Sequence, residues 1–218
     1  MTLYEVLHYP HALLKKKCTP VTKFTEQLRT FVKDLMTTAY EFEGGGIAAP
    51  QVGVCKRIFV GDYSLAFEGN RGFEKKEGDF LVFDKDGKEI PYQFPMTFIN
   101  PEIIAETNPI STNWEGCLSF PEAESFKINR FHGMTIRAQN EFGEFFTVKT
   151  THLYAAVNFQ HEIDHLNGIL MIDHWSKQEF NDKDVVHDIK GFENDPKQRK
   201  RIKKLKLVDA KKIPFDFL

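Results

Sequence analysis

His161-Glu162-Ile163-Asp164-His165 constrains the fold more than any other stretch of this chain. Two imidazoles four residues apart come together only if the segment is helical, because residues i and i+4 stack on an α-helix and lie far apart along a strand. On a helix both rings reach one metal ion, and Glu162 is placed to handle the proton of the water that ion activates. With 8 His and 18 Glu in 218 residues, chance supplies only about 0.02 copies of H-E-x-x-H, so the pattern is a signal. The helix is expected to run through Tyr154, Val157, His161 and His165, capped by Thr150 or Thr151 and stopped by Gly168. The chain is therefore a candidate metallohydrolase, and the motif alone leaves its class open.

Composition narrows the surroundings. A length of 218 residues favours one domain with a real core, and 21 phenylalanines point to a core or pocket built on aromatic rings. A net charge of -2 predicts no general affinity for nucleic acid or membranes, so neither DNA nor a bilayer is an expected partner. Met1 to Pro10 has neither a basic region nor an apolar run, so no signal peptide is expected, and no segment reaches membrane-spanning length. Three cysteines without a secretory signal suit a reducing cytoplasm and no disulfide framework.

Along the chain, Phe24, Leu28, Phe31, Val32, Leu35, Met36, Ala39 and Tyr40 recur at helical spacing, with Thr22 or Thr25 as cap and Gly44 as stop. Gly44 to Gln51 reads as a backbone-rich loop and Val54 to Val60 as a strand. Residues 64–93 are polar and glycine-rich, which predicts a surface excursion with a hairpin through Phe80–Phe83 and Ile90–Phe94 around an Asp84–Gly87 turn. Thr97 to Ile104 reads as a strand broken at Pro101. Met134–Gln139 and Phe145–Thr150 read as strands joined by a turn at Asn140–Gly143. The tail carries a basic run, Lys197–Lys206, with the periodicity of a surface helix, and ends in an apolar patch, Ile213–Leu218.

Two histidines do not complete a metal site. Cys117, in Glu115-Gly116-Cys117-Leu118-Ser119, is the best third ligand. One thiolate and two neutral imidazoles would leave a divalent ion with net charge +1 and an open position. Cys18 and Cys55 read as small buried apolar residues.

Three segments together resemble the peptide deformylase family: Gly44-Gly45-Gly46-Ile47-Ala48-Ala49-Pro50-Gln51, Glu115-Gly116-Cys117-Leu118-Ser119, and Gln160-His161-Glu162-Ile163-Asp164-His165-Leu166. Tyr9-Pro10, Leu13-Leu14 and Pro20-Val21 are similar to the family's opening. The likeness spans about residues 5 to 173 outside the 64–93 excursion. It implies an α+β fold, with small, mostly antiparallel sheets surrounding a central metal-binding helix. Residues 1–176 would form the catalytic domain, with a surface insertion at about 64–93, and residues 177–218 a charged extension of it. The implied activity is metal-dependent hydrolysis of the N-formyl group from the formylmethionine of newly made polypeptides, releasing formate. Fe(II) is the implied native ion, whereas the ligand set alone would also suit zinc, nickel or cobalt.

The same resemblance implies roles. Cys117, His161 and His165 hold the metal. Glu162 moves the proton, and the Gln51 side chain and Leu118 backbone N–H receive the oxyanion. Gly46 and Ile47 pair with an extended peptide, Glu115 and Gly116 border the site, and Tyr154, Val157 and Asn158 wall the methionine pocket. Glu115 is expected to pair with Arg130, and Gln160 and Asp164 to support the ligands. Other histidines, His132 and His174 among them, read as structural or solvated. The basic run suggests a transient ribosome contact. The family usually has an apolar residue where this chain has Gly45, which predicts a more mobile loop, and the arginine usual after Leu118-Ser119 is missing from Pro121–Ser125. Two other readings compete. A zinc endopeptidase fits H-E-x-x-H alone but usually takes its third ligand downstream. A silent peptide-binding module with a structural metal would need neither Glu162 nor Gln51.

Overall fold

The helical spacing after Phe24 folds as α1 (Glu26–Glu41) in a computed structural model, which describes residues 1–68, 75–120, 125–175, 185–186 and 207–218. Thr25 caps this helix, its hydroxyl accepting from the Leu28 N–H at 3.2 Å. Leu28, Phe31, Val32, Leu35, Met36 and Ala39 fall on the buried face. The helix ends earlier than expected. Glu43, at φ 59°, makes the left-handed turn, and the Gly44 N–H returns to the Ala39 carbonyl at 2.8 Å.

The segment read as a loop is more regular than its glycines suggested. Gly46–Ala48 is a short strand, β2, and Ala49–Val52 a 3₁₀ turn with Pro50 at its start. Next comes β3 (Ile58–Gly61), which starts later than the expected Val54 because Thr19 and Lys56 first form a parallel bridge. Beyond α2 (Ser64–Phe67) lie β4 (Phe80–Asp84), β5 (Met96–Glu115), β6 (Ser125–Gln139) and β7 (Phe145–Thr150). With the short β8 (Val185–Val186) beside β6, these make one seven-stranded antiparallel sheet, ordered β2-β3-β5-β6-β7-β4.

Two expectations change in the sheet. β5 does not break at Pro101. Pairing jumps from Ile99↔Gln139 to Glu102↔Arg137, so proline's missing N–H falls in the irregularity and costs no ladder bond. Residues 64–93 are not wholly a surface excursion either, since β4 pairs with β7 and buries Phe80 and Val82. The Asp84–Gly87 turn was read correctly, with Asp84 Oδ1 accepting from the Asp86 and Lys88 amides, both at 2.9 Å. The β6–β7 hairpin also forms as expected, turning on Gly143 at φ 86°.

The sheet's inner face packs on α3 (Leu153–Leu166), whose Ala155, Ala156, Phe159, Ile163 and Leu166 join Phe59, Phe98, Met134 and Ile136 in one core. His152, not Thr150 or Thr151, caps α3, with Nδ1 accepting from the Ala155 amide at 3.5 Å. The helix stops as expected at Gly168 (φ 72°), where a Cβ would sit 2.5 Å from the Lys15 carbonyl. A short helix, α4 (Met171–Trp175), follows.

A second core lies under α1. There β1 (Leu3–Tyr4) pairs in parallel with β9 (Leu207–Val208), and Phe31 packs on Phe215 and Phe217 with centroids 5.0 and 5.4 Å away. The C-terminal apolar patch is thus part of the core. The basic run Lys197–Lys206 and residues 121–124 lie outside the described residues. Among the described residues no helix is long and apolar enough to cross a membrane.

Candidate active site

α3 brings His161 and His165 to one face as their spacing requires, and the end of β5 delivers Cys117 to them. Ligand atoms of Cys117, His161 and His165 all lie within 4.8 Å of one another, with Cys117 Sγ 3.2 Å from His165 Nε2. Both imidazoles are buried and Cys117 is half-buried.

Charged neighbours orient this cluster. Glu115 Oε2 lies 2.8 Å from His161 Nδ1, and its low pKa makes it the acceptor, so His161 turns its other nitrogen to the cluster. Arg130 holds Glu115 from the other side at 2.6 and 2.9 Å. Burial alone would raise the Glu115 pKa, but Arg130 and then His161 override it and hold the carboxyl down at about 2. Arg130 also reaches Asp164 Oδ2 at 2.6 Å, and that oxygen lies 2.7 Å from His174 Nε2. The expected Glu115–Arg130 pair is seen, and Asp164 joins it through Arg130. Glu115, expected beside the substrate, has both carboxylate oxygens engaged by Arg130 and His161.

The donor set suits a cation. Burial works against charge on His161, yet the Cys117 sulfur and Glu115 carboxylate outweigh it and raise its pKa. Burial and then His161 drive His165 toward the neutral form a ligand needs. Two polar atoms, Glu162 Oε2 and His165 Nδ1, are buried here without a hydrogen-bond partner. Burial pushes the Glu162 carboxyl up to about 7, with His161 opposing the rise and the nearby Asn158 amide steadying the charged form.

The facing wall comes from β2 and the 3₁₀ turn. Gln51 Oε1 accepts from the Ala48 amide at 2.8 Å, which fixes its amide and turns Nε2 toward Cys117 Sγ (3.5 Å) and Ser119 Oγ (3.2 Å). The N-terminal segment ties this corner together, with the Leu7 amide donating to Gln51 O and the Tyr9 amide to Ser119 O. Leu118 follows Cys117 and packs beside Gly44. Gly46 lies under Asn158 and Glu162: a Cβ there would be 3.0 Å from Asn158 Oδ1 and 3.2 Å from Glu162 Oε1. At Gly45 the same addition would meet the Tyr154 hydroxyl at 2.8 Å. The space of the usual apolar side chain is thus filled from α3, and the Asp62 amide holds the Gly45 carbonyl at 2.8 Å.

Val157 is half-buried on the same helix. Asn158, expected as a pocket wall, accepts from Tyr63 at 2.9 Å. Tyr63 escaped the sequence reading because it follows β3, far from every motif. His174 escaped because it lies beyond the motif and meets the site through Asp164 and Arg130. Gln160 spends its amide on the Phe131 backbone, anchoring α3 to β6.

Comparisons with known proteins converge on one family. The sequence profile of the family described as polypeptide deformylase matches residues 3–181. A peptide deformylase of Clostridium botulinum (strain Alaska E43 / Type E3) is 36% identical over 178 residues, 82% of this chain and 100% of that protein. The crystal structure of peptide deformylase from Thermotoga maritima superposes with a TM-score of 0.64 at 34% identity, covering 80% of this chain and 98% of that one. A peptide deformylase from Synechococcus elongatus in complex with actinonin gives a TM-score of 0.65 at 25% identity, covering 83% and 81%.

Proposed function

The chain belongs to the peptide deformylase family, and from that premise we propose how its residues share the hydrolysis. The reaction removes the N-formyl group from nascent polypeptides and releases formate. The observation that carries the assignment of roles is the Cys117–His161–His165 cluster, both imidazoles buried, beside the unpartnered Glu162 Oε2.

Cys117, His161 and His165 would hold one divalent metal ion, which when bound polarises the formyl oxygen and acidifies water. Glu115 fixes the His161 ring and Arg130 fixes Glu115, so the ligands wait in place. Glu162 takes the proton of the attacking water and passes it to the departing amine. The Gln51 Nε2–H and the Leu118 backbone N–H face the oxyanion as it forms. β2 is the first strand of the sheet order, so the backbone of Gly46 and Ile47 can take an extended peptide as an added strand, with Gly116 on the opposite side. Tyr154, Val157 and Asn158 border the methionine side chain.

Fe(II) is the proposed native ion, with zinc, nickel or cobalt as replacements. The cytoplasm is the proposed location, where formylated chains emerge, and the basic run Lys197–Lys206 is proposed to touch the ribosome transiently. Residues 177–218 are proposed as an extension of one catalytic domain, not a second one.

Formate release from an N-formyl-methionyl tripeptide, with anaerobically prepared iron protein, tests the assignment. Glu162→Gln should retain metal and lose about 10²–10⁴-fold in kcat. Unchanged kcat would remove Glu162 from its role. Activity that survives aerobic purification without metal replacement would argue against iron.

A further inference from the structure

We propose that Cys18 and Cys55 form a second reactive site, a proximal dithiol that takes small anionic disulfides and closes into an intramolecular disulfide beside the C-terminal end of the metal helix. Their sulfurs lie 3.5 Å apart and both cysteines are free. The backbone sets this closeness. In the Thr19↔Lys56 bridge, the Thr19 amide donates to the Cys55 carbonyl at 3.2 Å and the Arg57 amide to the Thr19 carbonyl at 2.9 Å. Cys18 and Cys55 each precede a bridge partner, so they stand side by side.

Their surroundings divide the work. Cys55 is half-buried and meets a reagent first, whereas Cys18 is 4% exposed. Burial, and then the neighbouring Cys55 sulfur, raise the Cys18 thiol pKa, so Cys18 reacts second, once a mixed disulfide is already beside it. Lys16 and Lys17 lead into Cys18, and Lys56 follows Cys55, a cationic setting that favours an anionic disulfide such as oxidised glutathione.

The chemistry closes without a further reactant. The Cys55 thiolate attacks one sulfur of the external disulfide, forming a mixed disulfide and releasing one thiol. Cys18 then gives up its proton, attacks the Cys55 sulfur and expels the second thiol. Two protein thiols lose two electrons in total, and the external disulfide gains them as two thiols. The sulfurs need only a local shift to reach the ~2.05 Å bond.

The two joined segments seat the metal helix. The Cys18 amide donates to the Leu166 carbonyl at 2.9 Å, and the Arg57 guanidinium to Asn167 Oδ1 at 2.9 Å. A bond between positions 37 apart would also restrict the unfolded chain and raise Tm.

The test treats the metal-loaded full chain with oxidised glutathione, then maps thiols by peptide mass and measures Tm. The parent should lose the Cys18 and Cys55 thiols together, keep no glutathione on either, gain a higher Tm and recover on reduction. Cys18→Ser should instead hold one glutathionyl group on Cys55. A doubly substituted Cys18→Ser, Cys55→Ser chain should show neither change and release formate at the parent rate. Cys117 is scored separately in the same map. A parent that keeps glutathione on Cys55 with Cys18 still free, or whose two thiols react only after unfolding, would overturn the proposal.

Discussion

The two walls of the active site are held by different forces. The metal wall is a relay of charge, His161–Glu115–Arg130–Asp164–His174, whose Glu115 and Arg130 members are both buried. The proposed substrate wall, Gly45 to Gln51 against Tyr154 and Asn158, is held by neutral hydrogen bonds and by close approach to glycine. The difference follows from what each wall does. Ligands must keep one orientation against solvent, and buried charge pairs with full hydrogen bonding enforce that. A wall that receives a peptide backbone must offer donors and space, and a charge there would have to be desolvated each time substrate arrived.

The comparison breaks first at Arg130. Arg130→Ala leaves the Glu115 carboxylate buried without its partner and should cost about 3–5 kcal/mol of folding stability. Denaturant unfolding measures this, and a loss below 1 kcal/mol would mean that the relay is dispensable. Gln51→Ala should cost about 2.7–4 kcal/mol of transition-state stabilisation, read in kcat, and about 1–3 kcal/mol of stability from the Ala48 amide left without its acceptor. A KM effect alone would make Gln51 a binding residue. Tyr63→Phe removes one neutral bond to Asn158 and should cost about 0.5–1.5 kcal/mol of stability, which a thermal melt resolves. Loss of activity beyond that measure would assign Asn158 a share in placing Glu162.

Acid should separate the walls as well. The folded pKa of Glu115 lies below its ordinary value near 4.5, at about 2. Its contribution to stability is therefore complete above the ordinary value and fades as the pH falls toward 2. Stability measured across that window in parent and Gln51→Ala should fall in parallel, whereas Arg130→Met should flatten the curve. An unaltered slope in Arg130→Met would contradict the relay.

Much of the metal wall was legible in the chain because its information is local. His161 and His165 are bound by helix geometry, and Glu115 and Cys117 sit two residues apart in one turn-like segment. Arg130 was legible through the family resemblance. The substrate wall was less so. Asn158 read as a pocket residue through the family resemblance and its place on the helix, but its partner Tyr63 lies 95 positions away and follows β3 without a motif. Residues 64–93 were misread in part for a related reason: the hairpin through Phe80–Phe83 was legible, but polar and glycine-rich composition placed it on the surface, and Phe80 and Val82 find an inner face only when β4 pairs with β7.

Local spacing by itself determined the metal helix, α1, the β6–β7 hairpin and the pairing of His161 with His165, because helical and strand periodicities and turn chemistry act over a few residues. Only the tertiary structure decided which carboxylate steers His161, what fills the space beside Gly45, that the chain's last phenylalanines complete the core under α1, and that Cys18 meets Cys55. Those outcomes depend on burial and on contacts between distant segments, and a linear pattern carries no record of either until the sheet and helices have packed.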